Sequence, residues 1–314
     1  MSDMEKILPL KNNLSSVVIG KEDVIELIIV ALLANGHILI EDVPGVGKTL
    51  LTKALAKSLD VTFRRIQFTP DLTPTDVTGF NIYDRKTNDF VLRTGPVMTN
   101  ILLADEINRA VPRTQSSLLE AMEERQITID GESLNLPAPF LVLATQNPVE
   151  QEGTFVLPEA QLDRFLMKIS MGYPSAEEEK QILTTHGHNN PLASLQPVCT
   201  VADVLAWQKQ CLEVRIDSCL QSYIVNLTRA TRTHASALLG ASPRAALALQ
   251  RAAQAYALLQ DRDYVIPDDI KKLGKHVLAH RIVLKREERL RGIIVENILQ
   301  DILDSLVVPV EGEE

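Results

Sequence analysis

Residues 37–59, HILIEDVPGVGKTLLTKALAKSL, decide the fold. HILIED (37–42) is an apolar run of strand length, VPGVG turns the chain, and KTLLTKALAKSL (48–59) repeats apolar residues at helical spacing. A strand that turns through glycines directly into a helix aims the helix's unpaired N–H groups, and the positive end of its dipole, at the turn. Gly45 and Gly47 let the backbone bring further N–H groups inward. Such a turn is built to hold an anion.

The segment DVPGVGKT (42–49) fits the phosphate-loop pattern G-x-x-x-x-G-K-[ST], with Asp42 where the first Gly usually stands. On that pattern Pro44, Gly45, Val46, Gly47, Lys48, Thr49 and Leu50 wrap a nucleotide's phosphates. Lys48 reaches the β- and γ-phosphates, and the Thr49 hydroxyl ligates Mg2+.

Outward from the loop, KEDVIELIIVALLANG (21–36) reads as a helix ended by Asn35-Gly36. Strand-like runs recur at 64–68, 101–106, 140–147 and 165–171, with a helix over 112–125 between two of them. Strands alternating with helices predict a mainly parallel sheet covered on both faces. After Tyr173-Pro174 only helical periodicity remains, over 176–186, 201–212, 216–233, 243–260, 267–280 and 293–306. The loop-forming stretch HGHNNPLASLQP (186–197) is the expected linker, which divides the chain into an α/β core (1–190) and an all-α domain (191–314).

Three further stretches carry chemistry. ILLADEINRA (101–110) is a buried strand whose end projects Asp105 and Glu106 toward the loop. Asp105 suits the Mg2+ shell, and Glu106 suits the orientation and deprotonation of an attacking water. Two adjacent carboxylates favour an ATPase over a GTPase switch, which positions its water with Gln. LVLATQNPVE (141–150) ends a strand at Asn147, whose neutral amide hydrogen-bonds both water and γ-phosphate without repelling the latter. Arg164, before the last strand, and Arg244, at a helix start capped by Ser242-Pro243, supply planar cations suited to phosphate charge.

Composition sets the remaining bounds. With 314 residues, 45% hydrophobic and 23% charged, the chain supports two packed domains. It has no apolar run of the ~20 residues that a membrane helix needs. The first ten residues lack a signal-peptide core, so a cytoplasmic location is expected. The net charge of −9 disfavours a broad nucleic-acid surface. Cys199, Cys211 and Cys219 have no metal or disulfide spacing and read as buried thiols, while His276 and His280 read as structural or solvated. RIVLKREERLR (281–291) reads as a solvated basic surface.

Taken together, these residues resemble the MoxR family of AAA+ ATPases over nearly the whole chain. ATQNPVEQEGTFVLPEAQLDRF (144–165) reads as a family signature, and FTPDLTPTDVTG (68–79) and LLADEINRAVPRTQSSLLEAMEERQITIDG (102–131) match closely. The family tolerates an acidic residue at position 42. The resemblance implies a P-loop AAA+ core with a parallel five-stranded sheet in the order 5-1-4-3-2 and a C-terminal all-α lid. It implies ATP/ADP and Mg2+ as ligands, bound between neighbours in a ring, usually a hexamer. On it Lys48 and Thr49 belong to Walker A and Asp105 and Glu106 to Walker B, with Thr49 and Asp105 at the metal. Asn147 becomes sensor 1, Arg164 the arginine finger given to the adjacent subunit, and Arg244 sensor 2, in its own subunit or across the interface. Val18, Ile19 and Gly20 match the segment that packs on adenine. Residues 79–96 fit a β-hairpin inserted in the second helix, turning over Asp84 to Asn88, and 126–137 fit a second hairpin.

The function so implied is ATP-driven assistance to the assembly, maturation or metal and cofactor loading of a protein client, often beside a protein with a von Willebrand factor A domain. A motor subunit of a metal chelatase is the alternative within the same chemistry. A nucleic-acid motor is disfavoured by the acidic balance and by hairpins poor in basic residues. A non-catalytic scaffold is disfavoured by intact Lys48, Asp105 and Glu106.

Overall fold

The computed structural model describes residues 4–148, 153–186 and 191–308. Five strands, β1 (Ile38–Glu41), β2 (Phe63–Gln67), β3 (Ile101–Asp105), β4 (Leu141–Gln146) and β5 (Met167–Ile169), form one sheet in the order β2-β3-β4-β1-β5. Every neighbouring pair is parallel. This is the expected order 5-1-4-3-2.

Side-chain alternation along each strand builds two cores. Ile38, Ile40, Ile101, Leu103, Leu141 and Leu143 point to one face, where they join helices Met4–Val17, Glu22–Leu33 and Lys48–Ser58. Leu39, Leu102, Ala104, Val142 and Ala144 point to the other, against Leu118, Leu119 and Met122 of helix Pro112–Glu124. Helix Glu22–Leu33 is apolar almost all round, with nine of its 12 residues buried. The lid explains this, because lid helices Val201–Glu213 and Pro243–Leu259 also pack on it.

The helices expected after Tyr173-Pro174 appear as Ala176–His186, Val201–Glu213, Ser218–Thr233, Pro243–Leu259, Pro267–Leu278 and Val295–Ser305. Ser242 caps the fourth, accepting from the Ala245 N–H at 3.3 Å. The domain division at residue 190 falls on 187–190, outside the described residues. The lid is not wholly helical, since Ala237–Leu239 pairs antiparallel with Val283–Leu284. Segments of two and three residues are too short to show a period.

Asp163 fastens lid to core. It accepts from Ser242 Oγ at 2.8 Å and pairs with Arg281 Nε at 2.6 Å. Arg281 is buried and also donates to the carbonyls of Phe165 (2.7 Å) and Leu166 (3.2 Å). The expected solvated surface at 281–291 therefore begins only at Lys285, since Ile282 and Leu284 are buried as well. Burial also pushes the imidazole pKa of His280 well below its ordinary value, and its Nε2 meets the Phe165 carbonyl at 3.1 Å. Of the three thiols, Cys199 and Cys211 are buried as expected and Cys219 is exposed.

The inserted hairpin is present. Gly79–Asp84 pairs antiparallel with Asp89–Thr94 through six cross-strand pairs. Glycines at both ends are required by close backbone crossing. A Cβ on Gly79 would lie 2.2 Å from the Arg93 carbonyl oxygen, and one on Gly95 2.2 Å from that of Val77. The helix before it shrinks to Pro74–Thr78, and no helix resumes over 96–100. The second hairpin, Gln126–Ile129 with Glu132–Asn135, turns through Asp130-Gly131, both at positive φ as a tight hairpin turn demands. Asn81 Nδ2 donates to Asp130 Oδ2 at 2.8 Å, tying one hairpin to the other.

Candidate functional site

All five strands are parallel, so their carboxyl ends share one edge, and the polar residues collect there. A cavity of about 400 Å3 is lined by Asp42, Pro44, Gly45, Gly47, Lys48, Thr49 and Leu50 after β1, by Arg65 and Gln67 of β2, by Asp105 and Glu106 at β3, and by Thr145 and Asn147 at β4. Gly45 and Gly47 are left-handed (φ 88° and 94°). A Cβ on Gly45 would meet nothing within 4 Å, so this part of the loop faces open space. Lys48 folds back across the loop, donating to the carbonyls of Asp42 (3.2 Å) and Val43 (3.1 Å).

The two carboxylates are held differently. Asp105 Oδ1 accepts from Thr145 Oγ1 at 2.6 Å, while its Oδ2 pairs with Arg65 Nη2 at 2.5 Å. Glu106 is left-handed (φ 56°, ψ 50°), a conformation costing a non-glycine residue about 1–3 kcal/mol. Its N–H donates to the same Thr145 hydroxyl at 2.9 Å, so Thr145 braces both acids. Glu106 Oε2 accepts from Gln67 Nε2 at 2.8 Å and from Arg109 Nη1 at 3.1 Å.

Gln67, Arg65 and Arg109 were not singled out from the sequence. The signal for the first two was period-2 alternation in RRIQ, which places both on one face of β2 beside β3. Gln146 turns away from the cavity to Glu41, to which its Nε2 donates at 2.7 Å.

Arg164 and Arg244 do not line this cavity. They share a second one, of about 450 Å3, with Glu123, Arg125, Asp163, Arg251 and Arg281. One carboxylate holds both, as Arg164 Nε lies 3.0 Å from Glu123 Oε2 and Arg244 Nη1 2.9 Å from Glu123 Oε1. Arg125 caps carbonyls of Asn35 and Phe140 beside them, and burial pushes its pKa down to about 10. Val18 and Ile19 are buried, and Gly20 lies under the Glu178 carboxylate, where a Cβ would come 1.8 Å from Oε1. None of these three, nor Val46, lines the phosphate-loop cavity.

Comparison with known proteins bears directly on this arrangement. A family model described as the ATPase family associated with various cellular activities (AAA) matches residues 37–167, and an AAA lid domain model matches 229–302. The Chaperone MoxR1 of Mycobacterium tuberculosis is 43% identical over 302 residues, covering 93% of this chain and 80% of that protein. The chain belongs to the MoxR family of AAA+ ATPases. Protein YeaC of Bacillus subtilis is 53% identical over 299 residues, covering 95% of this MoxR-family chain and 93% of that protein. The crystal structure of a Cytophaga hutchinsonii protein assigned as an ATPase superposes with a TM-score of 0.92 at 42% identity, covering 98% of this chain and 96% of that one.

Proposed function

We propose that this MoxR-family protein hydrolyses MgATP in the 400 Å3 cavity, as a ring in which each site is completed by arginines of the neighbour. The observation that carries the reading is a division of labour. The phosphate loop, Asp105, Glu106 and Asn147 line one cavity, whereas Arg164 and Arg244 are clamped by Glu123 in another. The first cavity has the composition MgATP needs. Loop N–H groups and Lys48 would hold the phosphates, and the Thr49 hydroxyl and Asp105 carboxylate suit Mg2+, which keeps several of its waters. Held by Thr49 and Asp105, the ion would supply positive charge against the phosphates. Glu106 accepts the proton of the attacking water, and Asn147 orients that water against the γ-phosphate. A second subunit brings Arg164 and Arg244 to the developing charge, a role worth about 10³–10⁵ in rate for such arginines.

The cycle serves a protein client, in keeping with the chaperone name of the M. tuberculosis relative. The inserted hairpin is the proposed contact. Phe80, Ile82, Tyr83, Phe90, Val91 and Leu92 are 37–67% exposed on a two-stranded ribbon that is marginal alone. A hexameric ring and a partner with a von Willebrand factor A domain belong to the same proposal. The test is phosphate release by the full chain across a dilution series, with oligomeric state measured at each concentration. Specific activity should rise on assembly. Arg164→Ala subunits should bind ATP yet poison mixed rings. Activity per subunit that stays constant down to demonstrated monomers overturns the shared site.

A further inference from the structure

Asp42 departs from the phosphate-loop pattern, and its carboxylate is engaged by residues 170–172. It is buried at the end of β1 and reaches the turn that follows β5. Its Oδ2 accepts the N–H groups of Met171 at 2.5 Å and Gly172 at 2.9 Å and lies 3.3 Å from Ser170 Oγ. Oδ1 accepts the Val43 N–H at 3.0 Å. Gly172 is left-handed (φ 61°), so two successive N–H groups converge on one point. That is the backbone geometry of an anion-binding nest, and here the anion is a side chain of the phosphate loop itself.

The far end of the loop meets the same turn, since a Cβ on Gly47 would lie 3.9 Å from Met171 Cε. The chain then runs on as a strap into helix Ala176–His186. Along it the Tyr173 carbonyl accepts from Lys21 Nζ at 3.1 Å, and Glu178, bonded to the Ser175 N–H at 2.6 Å, covers Gly20. The strap 170–175 thus touches both ends of the phosphate loop and Lys21, and the first turn of that helix covers Gly20.

We propose that Asp42 is a positioning residue that ties the phosphate loop to this strap, so that loop and strap respond to nucleotide together. The inference rests on the reading of 42–49 as a nucleotide site. Two effects of the carboxylate oppose each other. A negative charge near phosphates repels them, so removing it alone strengthens binding. Removing the tether instead frees the loop and weakens binding, and bonds to a charged acceptor are about twice as strong as neutral ones. The tether is direct and involves two strap N–H groups on one carboxylate oxygen, so it prevails. Glycine, the usual residue of the motif, is therefore the damaging substitution here.

The experiment measures MgADP affinity and amide hydrogen exchange in full-length wild type, Asp42→Gly, Asp42→Asn and Ser170→Ala. In wild type, saturating MgADP should slow exchange at Met171 and Gly172. Asp42→Gly should bind MgADP about 10-fold more weakly, and its strap amides should exchange equally fast with and without nucleotide. Asp42→Asn keeps one acceptor oxygen and should fall between, about 3-fold weaker with partial protection; Ser170→Ala, losing only the longest contact, should stay within about 2-fold. Asp42→Gly that binds as tightly as wild type or more tightly overturns the tether. If that variant does not fold, Asp42→Asn decides, and its matching wild type in both readouts overturns the inference. Exchange without nucleotide separates the two readings. A wild type that binds no MgADP refutes the nucleotide site, whereas Met171 and Gly172 amides no faster in Asp42→Gly than in wild type refute the tether alone.

Discussion

Replacing Glu106 by Gln isolates its chemistry from its structural role. The two side chains are isosteric, and the left-handed backbone at Glu106 (φ 56°) is as strained with one as with the other. Gln keeps an oxygen that can accept from Gln67 Nε2, now 2.8 Å from Oε2. What it gives up is the charge opposite Arg109. That pair is partly exposed (42% and 25%), a setting where ion pairs contribute about 0.2–1 kcal/mol. Folding stability should therefore change by less than about 1 kcal/mol. Loss of a general base costs about 10²–10⁴ in rate, or about 2.7–5.4 kcal/mol of transition-state stabilisation at 1.36 per decade. The catalytic effect is several times the structural one, so they can be separated. Phosphate release at saturating MgATP should fall by those factors, while nucleotide affinity and Tm stay near wild type. Hydrolysis within about 3-fold of wild type, in a folded variant that binds ATP, would refute Glu106 as the base.

Two further expectations follow from exposed and buried groups. Replacing 80–94 by a short Gly-Ser link removes mainly exposed side chains and one bond, Asn81 to Asp130, so ATP binding should persist while client engagement is lost; a pull-down with an undiminished client signal would move the contact surface off the hairpin. His37 and His280 are buried with pKa values well below the ordinary 6.5, chiefly by desolvation, and His37 is satisfied as a neutral ring, taking the Val142 N–H on Nδ1 and facing the Met122 carbonyl with Nε2. Because the unfolded chain takes up these protons first, stability should be full above about pH 6.5 and fall on acidification by up to about 1.4 kcal/mol per pH unit for each ring. Denaturant unfolding from pH 7.5 to 5.5 with NMR titration of the rings tests this, and a ring titrating near 6.5 in the folded protein contradicts it.

Much of the fold was legible because it is written locally. The unbroken apolar runs in ILLAD and LVLATQ mark strands buried on both faces, and the glycine turn before Lys48 marks where HILIED ends. Strand order was not legible from periodicity; it came with the resemblance, because nothing in an apolar run says which run lies beside it. The elements that escaped were short or depended on tertiary burial. Ala237–Leu239 and Val283–Leu284 lie too far apart in sequence to signal their pairing. Arg281 reads as one more charge in a basic run until Asp163, 118 residues away, arrives to neutralise it.

The candidate site divides along the same line. Lys48, Thr49, Asp105, Glu106 and Asn147 were legible because each belongs to a compact motif at or just beyond a strand's carboxyl end, and parallel strands bring such ends together. The residues that restrain them were not, since Gln67 matters only beside Glu106 and Arg65 only beside Asp105. Glu123 is the clearest case. In the sequence it is one of several glutamates on an amphipathic helix, yet its two oxygens join an arginine of the core to one of the lid, 121 residues away. Both guanidinium groups are partly exposed, at 31% and 47%, so each pair contributes less than about 1 kcal/mol. A clamp that weak cannot be what fastens the lid, a task left to the buried Arg281 and the Asp163 beside it. Its effect is geometric. It holds two cations, one from the core and one from the lid, together on one surface.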